Sequence, residues 1–524
     1  MPLNESQRTP RPDAPRPKAD AVPKDAAAVI LVREVEGELV PQIFWARRGE
    51  QLAFLGGFHA FPGGQRDLED GETPVENCAD AETAAMIACA ARELFEELGV
   101  LVARGAEHLT KGQLASVLDD LNSRRMAFPQ LLAHYGLRLD ARDFTYAGRW
   151  VTPPFSPRRF DTWFFLVRCP RKQEPRVLTA EFEPGEWTRA TEAVGRWERA
   201  EALVAPPVLH ALKVLQAGLN EDTVERFLSV PQAQRQPVRR IEFMPGFICF
   251  PLRTPTKPPA THTNAYIVGH QELVILDPGS PDADEQAELA ACVDGLIAEG
   301  RRVREIILTH HHPDHVAGVG ALRQHLGVGV AAHRQTAESL RSRVQVDRFI
   351  EDGDEINLAG QPALTLRAMH TPGHTRGHLS FYEARTGALI TGDNILGLGS
   401  VLIDPPEGNM RDYLASLERY RALLPNVKVL FGGHGPAVAA PRAKIEEYIA
   451  HRLEREGNIL RAVRAGASSP PEIVARVYTD VNPKAHALAE RAVLAHLEKL
   501  EAENFVAQTS DGEFVAVGGS AVAG

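Results

Sequence analysis

The stretch Thr309-His310-His311-His312-Pro313-Asp314-His315 places four metal-ligand side chains, in H-x-H-x-D-H order, within six residues. Residues 303–308 ahead of it (V-R-E-I-I-L) read as a buried strand, so His310 and His312 leave its C-terminal end two residues apart and can face the same way. Pro313 suits the first turn of a helix. Asp314 and His315, adjacent at that helix start, can serve a second cation beside the first. A lone histidine is most often a satisfied surface or core residue, but four ligand types in one turn need another explanation. The pattern points to metal-dependent hydrolytic chemistry.

Further candidates follow: His374 in T-P-G-H-T, Asp393 in T-G-D-N after A-L-I, and His434 in G-G-H-G-P after residues 427–431. Each lies just past a strand-like run or a turn signal, where an α/β sandwich presents functional side chains. Together these residues resemble the metallo-β-lactamase superfamily over about residues 244–440. The resemblance implies an αββα sandwich in which His310, His312 and His374 hold one zinc ion, Asp314, His315 and His434 hold a second, and Asp393 bridges them. It counts Asp314 among the catalytic residues. Two zinc ions bring the pKa of a bridging hydroxide from water's ~15.7 to near ~7, which makes a nucleophile at neutral pH. His311 is expected to be a bystander, and Asp277, in the turn L-D-P-G, to hydrogen-bond the metal loops rather than bind metal.

The length of 524 residues suggests about three domains. Five scattered cysteines with no C-x-x-C pairing argue against a disulfide framework or a thiolate zinc site. No long apolar run occurs, and the polar, proline-rich start does not read as a secretion signal, so a cytoplasmic location and no membrane partner are expected. A net charge of −11 excludes a global electrostatic case for nucleic-acid binding. Arginines near the metal motif, such as Arg301, Arg304, Arg343 and Arg348, read as solvated faces.

Residues 1–25 read as a disordered tail. Strands are then expected at residues 28–32 and 42–46, a turn at F-P-G-G (61–64) and a helix over 81–98. That helix carries Glu93, Glu96 and Glu97 on one face, where carboxylates repel unless a divalent cation neutralises them; the bland alternative is a solvated acidic stripe. R-E-x-x-E-E-x-G-V after F-P-G-G resembles the Nudix box, and residues 150–153 and 157–165 resemble the branch containing coenzyme A diphosphatases. Over residues 26–215 this implies an α/β/α sandwich in which Glu93, Glu96 and Glu97 bind Mg²⁺ or Mn²⁺ and act on a nucleoside diphosphate derivative. Two departures stand out. The stretch from Gly64 to Arg92 is longer than usual, and Ala84 occupies the place of the glutamate that supports the arginine. Either an active site or a non-catalytic module follows.

Residues 216–243, polar with prolines, read as a linker between separately foldable domains. Residues 441–524 read as helices followed by a hairpin around Asp511-Gly512, a small winged helix. This tail resembles the endoribonuclease branch of the superfamily, which implies a single-stranded RNA substrate met by Arg442, Lys444, Arg452 and Arg455; such modules also pack or dimerise, so a homodimer is among the expected partners. The fold class is therefore α/β multidomain. Three functions remain open: phosphodiester hydrolysis of RNA, ester or thioester hydrolysis of a small metabolite as in glyoxalase II, and one working enzyme fused to a non-catalytic module.

Overall fold

The computed structural model describes residues 21–37, 40–52, 54–479 and 482–517. The strand Lys24–Arg33 shows why an unbroken apolar run is needed near the start of the chain. Ala28, Ile30 and Val32 face one core and Ala27, Val29 and Leu31 the other, so the period-two alternation of a strand buries both faces. It pairs in parallel with Phe160–Arg168 and antiparallel with Gln42–Arg47 in a seven-stranded sheet. The helix Ala81–Leu98 covers one face, with the side chain of Asp80 capping its start and Gly99 in the left-handed region closing its end. The expected tail begins outside the described residues, and ordered strand starts at Lys24, inside its last two positions.

Two further sheets form the αββα unit. One runs Ile241–Met244, Phe247–Arg253, His262–Gly269, Glu272–Leu276, Arg302–Ile307, Gly329–Ala332 and Arg348–Phe349. The other runs Glu355–Leu358, Leu364–His370, Leu379–Glu383, Ala388–Gly392 and Val429–Gly432. Their inner faces meet through residues such as Tyr266, Leu276, Ile307, Phe381 and Phe431. The outer faces are covered by Ala283–Ala298 and Val319–Leu326 on one side and by Met410–Ala422 and Pro441–Arg464 on the other.

The expectation of a linker over 216–243 is corrected. That segment carries the helix Thr223–Phe227, with Phe227 fully buried, and the edge strand Ile241–Met244. The same hydrophobic core runs from Ala28 and Ile30 through Phe243 to Phe431. Trp197 donates to the Phe243 carbonyl at 3.1 Å, and the Phe58 and Phe243 rings meet edge to face at 5.3 Å. The prolines and charges of this segment masked two alternating apolar residues, Ile241 and Phe243, whose burial needs both neighbours. The two α/β units therefore share a core rather than a tether.

After the long helix Pro441–Arg464, the helices Pro470–Val477 and His486–Ala502 and the hairpin Val506–Gln508 with Phe514–Ala516 form the tail, around a core that includes Ile459, Ile473 and Leu497. Among the described residues no helix is long and apolar enough to cross a membrane.

Candidate metal centre and glutamate cluster

The strand Arg302–Ile307 delivers His310 and His312 from its C-terminal end, and the short helix Pro313–Val316, with Pro313 in its first turn, presents Asp314 and His315. His374 follows the strand Leu364–His370, Asp393 follows Ala388–Gly392, and His434 follows Val429–Gly432. The structure brings all seven together. Ligand atoms of His310, His312 and His374 lie within 4.8 Å of one another, as do those of Asp314, His315 and His434. Nδ1 of His312 is 3.1 Å from Nε2 of His310 and 3.0 Å from Nε2 of His374. The Asp393 carboxylate lies between the two sets, with Oδ2 3.7 Å from His374 and 3.3 Å from His434 and Oδ1 3.3 Å from His315.

Second contacts aim the rings. Nδ1 of His310 meets the Thr309 hydroxyl at 2.9 Å, Nδ1 of His374 the Leu402 carbonyl at 3.0 Å, and Nδ1 of His434 the His262 carbonyl at 2.7 Å. With Nδ1 engaged, Nε2 faces the centre. Asp277 accepts from His315 Nδ1 at 2.9 Å and from the Thr309 backbone at 2.8 Å and hydroxyl at 2.6 Å. Asp277, His310 and His315 also group closely enough to hold an ion, but these hydrogen bonds occupy the Asp277 oxygens and make it a support. His311 turns aside toward Glu407, 3.9 Å away.

The donor set fits divalent ions. The buried Nε2 of His315 and Oδ1 of Asp393 have no hydrogen-bond partner, a costly state that a metal relieves. Burial, reinforced by neighbouring imidazoles, pushes His312 down to about 2 and His374 to about 4, so both keep a free lone pair. Burial acts to lower His315, but Asp393 and Asp277 outweigh it and raise it above the usual imidazole value. Gly433 allows the close approach: a Cβ there would lie 2.2 Å from Asp393 Oδ1.

In the N-terminal unit, Glu93 and Glu97 project from the helix Ala81–Leu98 toward the short strand Gly63–Gln65, and Glu96 lies on the same helix. Glu97 accepts from the Gly63 amide at 2.8 Å, and a Cβ on Gly64 would lie 2.5 Å from the Glu93 carboxyl. Burial, with mutual repulsion, raises Glu93 to about 7 and Glu97 to about 8, the condition a divalent cation would reverse. Arg92 binds Glu93 at 2.8 Å and Glu96 at 3.1 Å.

Sequence reasoning missed Arg92's own support. Asp70, fully buried, pairs with it through two hydrogen bonds of 2.9 Å. The long stretch after Gly64 thus supplies the carboxylate that Ala84 lacks, and the departures noted in the sequence compensate each other. His378 was also missed: fully buried, it accepts from the Asp393 amide at 3.2 Å and contacts the Thr371 hydroxyl at 3.0 Å. Its signal was H-T-R-G-H, a second histidine four residues after His374.

The profile described as "Metallo-beta-lactamase superfamily" matches residues 258–434, "NUDT19 Nudix domain" residues 72–215, and "Beta-lactamase associated winged helix domain" residues 469–514. "Beta-lactamase-like protein 2 homolog" of Drosophila melanogaster is 30% identical over 269 residues, 48% of this chain and 87% of that protein. "Hydroxyacylglutathione hydrolase" of Cereibacter sphaeroides is 30% identical over 221 residues, 42% of this chain and 83% of that protein. "Atrochrysone carboxyl ACP thioesterase dmxR1" of Cryptosporiopsis sp. is 28% identical over 255 residues, 48% of this chain and 73% of that protein. The seven converging side chains thus belong to a hydrolase, and the chain is a member of the metallo-beta-lactamase superfamily that carries a Nudix domain ahead of its metal centre and a winged helix behind it.

Proposed function

We propose that the metal centre hydrolyses small-molecule thioesters with two zinc ions, and that the Nudix domain is a Mg²⁺- or Mn²⁺-dependent hydrolase of nucleoside diphosphate derivatives. The reading of the metal centre rests on one observation: two three-ligand sets meet across Asp393, with orphaned donor atoms between them. His310, His312 and His374 would hold one ion, Asp314, His315 and His434 the other, with Asp393 shared. Bound there, the ions would lower the pKa of water and supply positive charge for a developing oxyanion. The chain's own residues fix the rings, exclude bulk water and, through Asp277, keep His315 oriented.

Two relatives act on acyl glutathione and acyl carrier protein by name, which supports a thioester. The basic residues expected to meet RNA are engaged within the chain. Arg442 and Lys444 face Glu446 and Glu447 one turn on, Arg452 is buried with its guanidinium on the Val401 carbonyl, and Arg455 bonds the Val477 carbonyl and covers Tyr478. These four cations thus already have partners within the chain, which weakens the case for counterion release on RNA.

The test is hydrolysis by the zinc-reconstituted full chain of an acyl pantetheine thioester and of a labelled single-stranded RNA, at low and high salt. Chelator-sensitive, salt-insensitive thioester turnover without RNA cleavage is expected. RNA cleavage that falls steeply with salt, and no thioester turnover, would reverse the assignment.

A further inference from the structure

The contacts that aim the ligand histidines come from two kinds of backbone. Thr309 and Asp277 each sit just past a strand end, and His262 opens a strand, so sheet ladders fix their positions. The Leu402 carbonyl, which accepts from Nδ1 of His374 at 3.0 Å, is different. It lies inside residues 393–409, which form neither strand nor helix. A carbonyl on such a segment stays in place only where contacts from elsewhere hold it.

The two ends of the segment are tied to the metal-binding unit itself. The Gly397 amide donates to the His434 carbonyl at 2.8 Å, and the Asn409 amide to the Gly373 carbonyl at 2.8 Å. The middle is tied to the C-terminal helices. From Pro441–Arg464, the Tyr448 hydroxyl donates to the Gly399 carbonyl at 2.8 Å and the Arg452 guanidinium to the Val401 carbonyl at 2.5 Å. From His486–Ala502, Arg491 donates to both the Asp404 carboxylate and the Pro405 carbonyl. The apolar side of the segment, Leu396, Val401 and Ile403, is buried in one core with Tyr448, Ile449 and Ala495 of those helices. Arg452 is itself buried, its guanidinium 5.4 Å from the centre of the Tyr413 ring, and the Tyr413 hydroxyl donates to the Asn394 carbonyl at 2.7 Å, beside Asp393. A buried guanidinium is costly unless it keeps its bonds, so this hold is stiff.

We propose that Tyr448, Arg452 and Arg491 are positioning residues for the metal centre: they clamp residues 399–405 so that the Leu402 carbonyl keeps the His374 ring aimed at the site it shares with His310 and His312. The C-terminal helices thereby tune one ligand set and not the other, since His315 and His434 take their supports from Asp277 and His262 inside the metal-binding unit. The inference rests on the reading of these residues as a two-ion centre and deepens it by naming what holds one half. It does not depend on what that centre hydrolyses.

The test is the zinc affinity of the full chain, read by competition with a chromophoric chelator in two backgrounds that isolate the ligand sets. Asp314→Ala leaves His310, His312 and His374 complete, and His312→Ala leaves Asp314, His315 and His434 complete. Adding Arg491→Ala, at a half-exposed position that folding tolerates, should weaken zinc binding about tenfold in the first background and change it by less than about twofold in the second. Tyr448→Phe, which keeps the buried ring and removes only the hydroxyl, should weaken the same set. Arg476→Ala, which releases an arginine bonded to the Ala465 carbonyl within the tail, should change neither. Equal weakening of both sets by Arg491→Ala would reveal general destabilisation and overturn the proposal, as would unchanged affinity in both backgrounds or a selective loss of the same size in Arg476→Ala. Absence of zinc from both single variants would overturn the two-ion reading and the proposal with it; zinc held in both, with no selective effect of Arg491→Ala, would overturn the proposal alone.

Discussion

At the metal centre, four of the five ligand histidines have their second ring nitrogen tied to a hydroxyl, a carbonyl or a carboxylate, whereas at the glutamate cluster one buried pair, Arg92 with Asp70, organises Glu93 and Glu96, and the Gly63 amide holds Glu97. The first site is aimed by many separate contacts and the second chiefly by one buried pair. Loss of one support should therefore be graded at the metal centre and abrupt at the glutamate cluster.

The largest expected effect lies in the ligands themselves. Asp314→Ala removes a ligand of the second set, and forfeiting several kcal/mol of charge stabilisation corresponds to about 10³-fold or more in thioester turnover, with thermal unfolding close to the wild type. Near-normal turnover would break the assignment. Glu97→Gln should abolish diphosphate hydrolysis while leaving chelator-sensitive thioester hydrolysis within about twofold; parallel loss of both would show that the two sites are one functional unit.

The supports come next. Asp277→Asn weakens the hold on His315 and Thr309 and should cost about 10–100-fold in metal affinity or turnover, read by competition with a chromophoric chelator. Asp70→Ala leaves the Arg92 guanidinium buried without its partner and should cost about 3–5 kcal/mol in urea unfolding, together with diphosphate activity. If Asp277→Asn proves the more destructive of the two to its own site, the contrast between distributed and single support fails.

The smallest effect concerns His59, buried at the wall where the units meet, its ring 4.3 Å from that of Trp45 and its Nδ1 without a partner. Burial, aided by Arg196 and Arg47, lowers it from 6.5 to about 4. Between those values the unfolded chain takes up a proton that the folded chain refuses, so stability falls as pH drops through that window. Relative to His59→Asn, the wild type should lose about 1–3 kcal/mol between neutral pH and pH 4. A pH dependence identical in both proteins would remove His59 from the account.

What was legible in the sequence follows the same division. The metal ligands sit in short local patterns after strands and turn signals, and the resemblance to the metallo-β-lactamase superfamily, rather than periodicity, assigned them to two sets. The helix Ala81–Leu98 could be bounded because Asp80 and Gly99 are cap residues in the sequence itself. Asp70 was not legible: counting back from Arg92 reaches Ala84, and only the folded stretch between shows that a carboxylate 22 residues away closes the pair. The shared core was hidden for a related reason. Ile241 and Phe243 alternate with Arg240 and Glu242, too short a pattern to outweigh the prolines before it, and their burial requires surfaces from both units.

The account's central claim is a two-ion centre built from two ligand sets joined at Asp393. The most direct measurement is the metal content of the full chain, reconstituted with zinc and freed of loosely held ions, beside that of Asp314→Ala. The account predicts two zinc ions per wild-type chain and one in the variant. One ion or fewer in the wild type, or the same content in both, would contradict it.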